Sequence, residues 1–220
     1  MRLEPLGDQA VMAYCDDEQA AFAFADRCRR AAFDWAIDVV QAYTSVAVYY
    51  DLTRIDFDSA ASELASLETT STGQVTAPGQ LHVIPCCYDL GPDLERVAEQ
   101  TGLSVEGVIS QHAGTRYTVY AIGFCPGFPY LGYLPAALTG VPRLASPRLR
   151  VEAGSVGLTG KQTGIYTEER PGGWNIVGRT PLELVNVADG YFPLRTGDQV
   201  QFERIGPEEF ERRRGERLAV

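Results

Sequence analysis

Lysine is almost absent from this chain. Of 19 basic residues only Lys161 is a lysine, and the rest are arginine. Lysine-based covalent chemistry therefore has one possible address. Histidine occurs twice, at His82 and His112, and no pair of cysteines has C-x-x-C spacing. That scarcity argues against a structural zinc site. No stretch approaches the roughly 20 apolar residues that a membrane-crossing helix needs. The opening MRLEPLGDQA is too polar for the apolar core of a secretion signal. Five cysteines, an odd number without a signal, fit reduced thiols. The expectation is a cytoplasmic protein that engages no membrane. Basic residues are also outnumbered, 19 to 29, for a formal charge of −10. Such a surface repels nucleic acid and anionic lipid alike.

What is present is globular: 45% hydrophobic and 22% charged residues, with 22 glycines and 13 prolines. The glycine and proline content predicts a turn-rich fold. Two textures divide the chain. Strands are predicted at Leu3–Leu6 and Ala10–Cys15, around a Gly7-Asp8 turn, and again at 37–43, 45–50 and 81–85. Asp16, Asp17 and Glu18 open a helix that Arg27, Arg29 and Arg30 close, as the helix dipole prefers. A second helix spans 58–67, and Ser71-Thr72-Gly73 and Ala77-Pro78-Gly79 break the chain after it. The order β-α-β-β-α-β suggests a ferredoxin-like α/β domain over 1–89. Helices follow, one through Gln100 stopped by Gly102, the next capped by Ser104. On the latter, Val105, Val108, Ile109 and His112 form one stripe. Short strands are expected at 117–122, 150–151, 155–159, 175–177, 182–187 and 199–205, then a charged helix over 208–217 with no evident buried face. Strands at this spacing make 90–220 a barrel or sandwich, so the fold class is α+β.

Charge is uneven. Residues 101–180 hold seven basic groups, among them Arg143, Arg148, Lys161 and Arg179, and four acidic ones, a net +3. The same 80 residues carry 14 of the 22 glycines. Glycines admit backbone N–H groups to an anion, and arginine offers a planar fork. A barrel with tight turns and ordinary surface arginines would look similar. Three motifs fail on inspection. Gly160-Lys161 lacks the earlier glycine and the following Ser/Thr of a phosphate-binding loop. Ala153-Gly154-Ser155-Val156-Gly157 resembles a nucleophile elbow, but no histidine follows it. Cys125 with His112 could make a thiol nucleophile; a small apolar filler beside Pro126 explains Cys125 better. His112 itself reads by default as a buried core histidine, with proton transfer as the alternative.

The 117–180 segment carries an ordered series: Tyr117 through Gly132 with Gly123-Phe124-Cys125-Pro126-Gly127-Phe128-Pro129 at its centre, Pro147-Arg148, Ala153 through Gly157, Gln162-Thr163-Gly164-Ile165-Tyr166, Pro171-Gly172-Gly173-Trp174, and Gly178-Arg179-Thr180-Pro181. This series resembles the family of the 5-oxoprolinase B subunit, also called KipI-like or allophanate hydrolase subunit 1 (carboxyltransferase subdomains C and D). The resemblance implies a small N-terminal α/β domain and a cyclophilin-like β-barrel. It implies one member of an enzyme complex that also needs the C and A subunits of the 5-oxoprolinase. The implied reaction is ATP-dependent opening of the 5-oxoproline lactam to glutamate, with ATP bound by the complex. Its site must grip a carboxylate, phosphates and a developing oxyanion. On the matching positions, His112 and Lys161 become catalytic candidates. Arg148, Gln162, Arg179 and the backbone of Gly172 and Gly173 become anion contacts, and Tyr166 and Trp174 pocket walls. The KipI-like branch implies an alternative partner, a sensor histidine kinase that the protein would inhibit. A urea carboxylase-type protein is the other alternative. That branch needs a biotinyl lysine beside methionine, and Met1 and Met12 are both far from Lys161. Any biotin must therefore come from another chain.

Overall fold

A computed structural model describes residues 1–69 and 79–218. The chain divides into two units, Met1–Ala77 and Pro78–Val220. The expected breaks at 71–73 and 77–78 lie outside the described residues.

The first unit is a four-stranded antiparallel sheet with two helices. Strands β1 (Arg2–Leu6) and β2 (Ala10–Tyr14) form a hairpin around Gly7, and β3 (Ala36–Ala42) and β4 (Ser45–Tyr50) form another. The order is β1-β2-β4-β3. Helix α1 (Glu18–Ala31) starts where the Asp17 carboxylate accepts the Ala20 N–H at 2.7 Å. Its buried residues Ala21, Phe24, Ala25 and Cys28 repeat at helical spacing, so one stripe meets the sheet. Helix α2 (Phe57–Thr69) lays Ala60 and Leu64 into the same core, beside Val11, Val46, Val48 and Trp35. The Trp35 indole N–H, buried with the ring, donates to Glu63 at 2.8 Å.

The expected ferredoxin-like motif does not close. Its last strand, β5 (Leu81–Cys86), leaves the first sheet and joins the second, where it pairs in parallel with the C-terminal strand. The hairpin strand β1 takes the place beside β2. The β5 side chains explain this: Ile84 and Cys86 are wholly buried in the core of the second unit.

That core fills a seven-stranded sheet. After β5 come two helices, α3 (Leu94–Thr101) and α4 (Val105–Ala113). Gly102 ends α3 in the left-handed region at φ 71°, and the Ser104 hydroxyl caps α4 by accepting the Gly107 N–H at 3.0 Å. The strands that follow are β6 (Arg116–Ile122), β7 (Pro129–Gly132), β8 (Arg148–Val151), β9 (Ser155–Thr159), β10 (Gln162–Ile165), β11 (Arg170–Gly172), β12 (Asn175–Arg179) and β13 (Gln199–Arg204). The large sheet runs β12-β9-β10-β7-β6-β13-β5, while β8 and β11 form a separate ribbon. Its two edges meet where Cys87 and Arg179 exchange backbone hydrogen bonds of 2.8 and 3.0 Å. The sheet thereby curls into a nearly closed barrel, which leaves few exposed edges. The run 182–187 is no strand; Leu182 and Leu184 enter the core from a loop. The last helix, α5 (Pro207–Arg212), is shorter than expected and does bury a residue, Phe210.

Candidate functional site

The glycine-rich segment folds around an aromatic cleft of about 230 Å³ on the second unit. Strand β7 supplies Tyr130, the end of β10 supplies Tyr166, and the link from β11 to β12 supplies Gly172, Gly173 and Trp174. The 123–128 loop adds Phe128 and the exposed lip residue Phe124. That loop is tied down where Gly123 N–H donates to Phe128 O at 3.1 Å and the Thr167 hydroxyl to Pro126 O at 2.7 Å. Phe128 stands edge-on to both Trp174 and Tyr166, with ring centroids 5.5 and 5.3 Å apart. Gly172 has to be glycine: a Cβ there would fall 2.2 Å from the Tyr166 hydroxyl oxygen.

One cation faces this aromatic wall. Arg143 lines the cleft, and no carboxylate pairs with it among the described residues. Burial pushes the Tyr130 and Tyr166 phenols up, and the Arg143 charge pulls both part of the way back. Both phenols stay protonated at neutral pH and can donate. The Tyr130 hydroxyl makes no hydrogen bond among the described residues. The lining contains no histidine, lysine, aspartate or glutamate. Nor do the described residues contain a cluster able to hold a metal ion. The cleft can bind and orient a small anion with a flat apolar body. Its lining groups that can donate a proton or hydrogen bond include the Tyr130 and Tyr166 phenols and Arg143.

The structure brings together four of the residues expected from sequence: Tyr166, Gly172, Gly173 and Trp174. The others go elsewhere: neither described cleft gathers Arg148, Lys161 and Arg179, and of the three only Arg179 lines one. Arg148 turns to Asp93, a 2.7 Å ion pair, and the other Asp93 oxygen accepts the Ile176 N–H at 2.7 Å. Lys161 stands exposed in the β9–β10 turn. Gln162 begins β10, in register with Gly132 and Thr159. Arg179 pairs with Glu152 and donates to Ala153 O at 2.9 Å. It lines a second cleft of about 430 Å³, whose charged groups are matched by Glu168–Arg170, Glu183–Arg217 and similar pairs. Among the described residues, no uncompensated charge is left there for a ligand.

His112 lines neither cleft. It is wholly buried, stacked on Phe202 at 4.7 Å. Its Nδ1 lies 2.8 Å from the Tyr88 hydroxyl and its Nε2 3.0 Å from Thr163 Oγ1. Thr163 spends its own proton on Gly157 O at 2.8 Å, so it must accept from His112, and the ring carries its hydrogen on Nε2. Burial pushes this imidazole down to about 3. A neutral ring with both nitrogens engaged in the core is poorly placed to move a substrate proton.

Sequence reasoning passed over Arg143 and Tyr130. Arg143 was only one of seven bases, and its usable signal was the lack of any acidic residue between Glu106 and Glu152.

Comparison with known proteins gives this geometry its setting. Residues 1–191 match the carboxyltransferase domain, subdomain C and D. A Bacillus subtilis protein, named as the B subunit of 5-oxoprolinase, is 35% identical over 231 residues, covering 95% of each chain. The Escherichia coli O157:H7 protein of the same name is 51% identical over 113 residues, about half of each chain. The crystallised protein TTHA0988 superposes with a TM-score of 0.78 at 35% identity over 90% of this chain. This chain spans only 40% of the length of that polypeptide. On these matches the chain belongs to the carboxyltransferase-domain family, subdomains C and D, together with proteins named as B subunits of 5-oxoprolinase.

Proposed function

We propose that this chain is the B subunit of an ATP-dependent 5-oxoprolinase, which opens the lactam of 5-oxoproline to glutamate together with the A and C subunits. The observation that carries the reading is 35% identity across nearly the full length of a relative with that name. The aromatic cleft agrees with it. 5-Oxoproline is a flat five-membered lactam bearing a carboxylate. Tyr130 and Trp174 offer faces for the ring and Arg143 a charge for the carboxylate.

The cleft also supports a division of labour. Without an acidic or basic side chain for proton transfer, this chain binds and orients, and the groups that activate water come from elsewhere in the complex. Its volume of about 230 Å³ and single cation suit one small anion rather than a nucleoside triphosphate. ATP, whose phosphoryl group makes the lactam carbonyl reactive, is therefore assigned to another part of the complex.

The test is reconstitution. Purified chain mixed with the A and C subunits, ATP and 5-oxoproline should release glutamate and ADP together, and omission of this chain should stop both. Arg143→Ala should raise the KM for 5-oxoproline about tenfold or more, as loss of a charge-assisted contact does, with the complex still assembling. An inert three-component mixture, or tight binding to a histidine-kinase dimerisation domain without turnover, would overturn the reading.

A further inference from the structure

The backbone beside the cation of the cleft is tied to a buried amide. Asn175 is fully buried at the start of β12. Its side-chain N–H₂ donates to Pro142 O at 2.9 Å and to Leu158 O at 3.2 Å. Its side-chain oxygen accepts from Arg96 Nε, on α3, at 3.0 Å. On the far side of Arg143, the Leu144 N–H donates to Gly173 O at 2.8 Å. The residue before Arg143 is thus tied to residue 175, and the residue after it to residue 173. Between those two ties sits Trp174, a wall of the cleft. The segment 142–144 lies clamped across 173–175, and the backbones that carry Arg143 and Trp174 are set relative to one another.

We propose that Arg143 anchors the carboxylate of a small, flat ligand, and that Asn175 is its positioning residue, acting through the Pro142 carbonyl. The inference rests on the reading of this cleft as the substrate site. A buried amide is costly unless its hydrogen bonds are all made. Here each donor has a carbonyl, and one of those carbonyls belongs to the loop that carries Arg143. Leu158 ties the same amide to β9, so the loop is referenced to the barrel wall. The Asp93–Ile176 hydrogen bond holds β12 one residue further on, at 2.7 Å. Arg143 therefore meets a ligand from a fixed base, as recognition of a carboxylate at one geometry requires.

The experiment compares two probes on the intact chain by calorimetric titration: L-5-oxoproline and pyrrolidin-2-one, the same lactam without its carboxylate. Asn175→Ser should weaken L-5-oxoproline about tenfold and leave pyrrolidin-2-one nearly unchanged. In an Arg143→Ala background, adding Asn175→Ser should cost nothing more for either probe. Equal losses for both probes, or losses that add in the double variant, would make Asn175 an ordinary core residue and overturn the proposal. Arg96→Met, which removes the donor to the Asn175 oxygen while keeping a long side chain, repeats the comparison if Asn175→Ser does not fold. If the wild-type chain binds no L-5-oxoproline, the functional reading fails, and Trp174 fluorescence in a Trp35→Phe background still decides the positioning. Iodide should then quench Trp174 better, relative to neutral acrylamide, in wild type than in Arg143→Ala. Asn175→Ser should lose that advantage too, and its persistence would overturn the proposal.

Discussion

Protonation of His112 should unfold this protein from the inside. The folded ring is pushed down from about 6.5 to about 3 by burial, while in the unfolded chain it titrates as an ordinary histidine. Between those values the unfolded state binds a proton that the folded state refuses. The neutral ring's contribution is therefore complete above about pH 6.5 and is lost as pH falls toward about 3. The slope is about 1.4 kcal/mol per pH unit, so moving from about pH 7 to about pH 4.5 should remove a few kcal/mol. His112→Gln isolates the effect: glutamine can still donate and accept but does not titrate. The assay is urea unfolding followed by Trp174 emission in a Trp35→Phe background, at both pH values, for wild type and variant. The variant should be less stable at neutral pH, and its deficit should shrink by a few kcal/mol at the acid end. Parallel pH profiles would refute a buried neutral imidazole and reopen a proton-transfer role. If the geometry holds, His112→Gln complexes that remain folded should keep most of their turnover.

Three further outcomes follow from single contacts. Arg148→Ala strands the buried Asp93 carboxylate and should lower stability by about 2 kcal/mol in chemical denaturation, whereas an unchanged midpoint would return Arg148 to the list of ligand contacts. Gly91→Ala would set a Cβ 2.2 Å from the Val177 carbonyl oxygen, backbone against backbone, and should cost about 3 kcal/mol or more, read as a lost or greatly lowered Tm. With Ellman's reagent the native protein should expose Cys15 first, because Cys28, Cys86, Cys87 and Cys125 are buried and burial pushes the Cys28 thiol up to about 12. Rapid reaction of several thiols without denaturant would contradict that packing.

Local signals in the sequence carried local features well. The Asp17 cap, the arginines closing α1, the Gly102 stop and the Ser104 cap all depend on neighbours within one helical turn. The strands β10 and β11 were hidden because Gln162-Thr163-Gly164-Ile165 and Arg170-Pro171-Gly172 contain the residues of turns; β10 forms a tight hairpin with β9 and also joins the distant β7, and β11 pairs with β8. Conversely, the apolar run at 182–187 looks like a strand but finds no ladder to join. The destination of β5 was invisible for the same reason: its partner begins at Gln199. In the site, the glycine-rich motifs pointed to walls of the aromatic cleft and not to the cation that lines it. Arg148 and Arg179 looked available because Asp93 and Glu152, their acid partners, lie 55 and 27 positions away. Arg143 has no acid partner among the described residues; the acid-free stretch that hints at it also contains Arg148, whose partner Asp93 lies outside it, so the hint does not single out Arg143.

The pairing of β5 with β13 has a bearing on biosynthesis. Gln80 N–H donates to the Asp198 carboxylate across 118 positions, and the parallel ladder continues from there to Arg204. On a ribosome the N-terminal sheet has every strand it needs well before the barrel has its last one. During that interval β5 waits with an open ladder edge, the kind of surface that recruits the wrong neighbour. Slow elongation through the final third of the message would lengthen the wait, and chaperone demand should concentrate there.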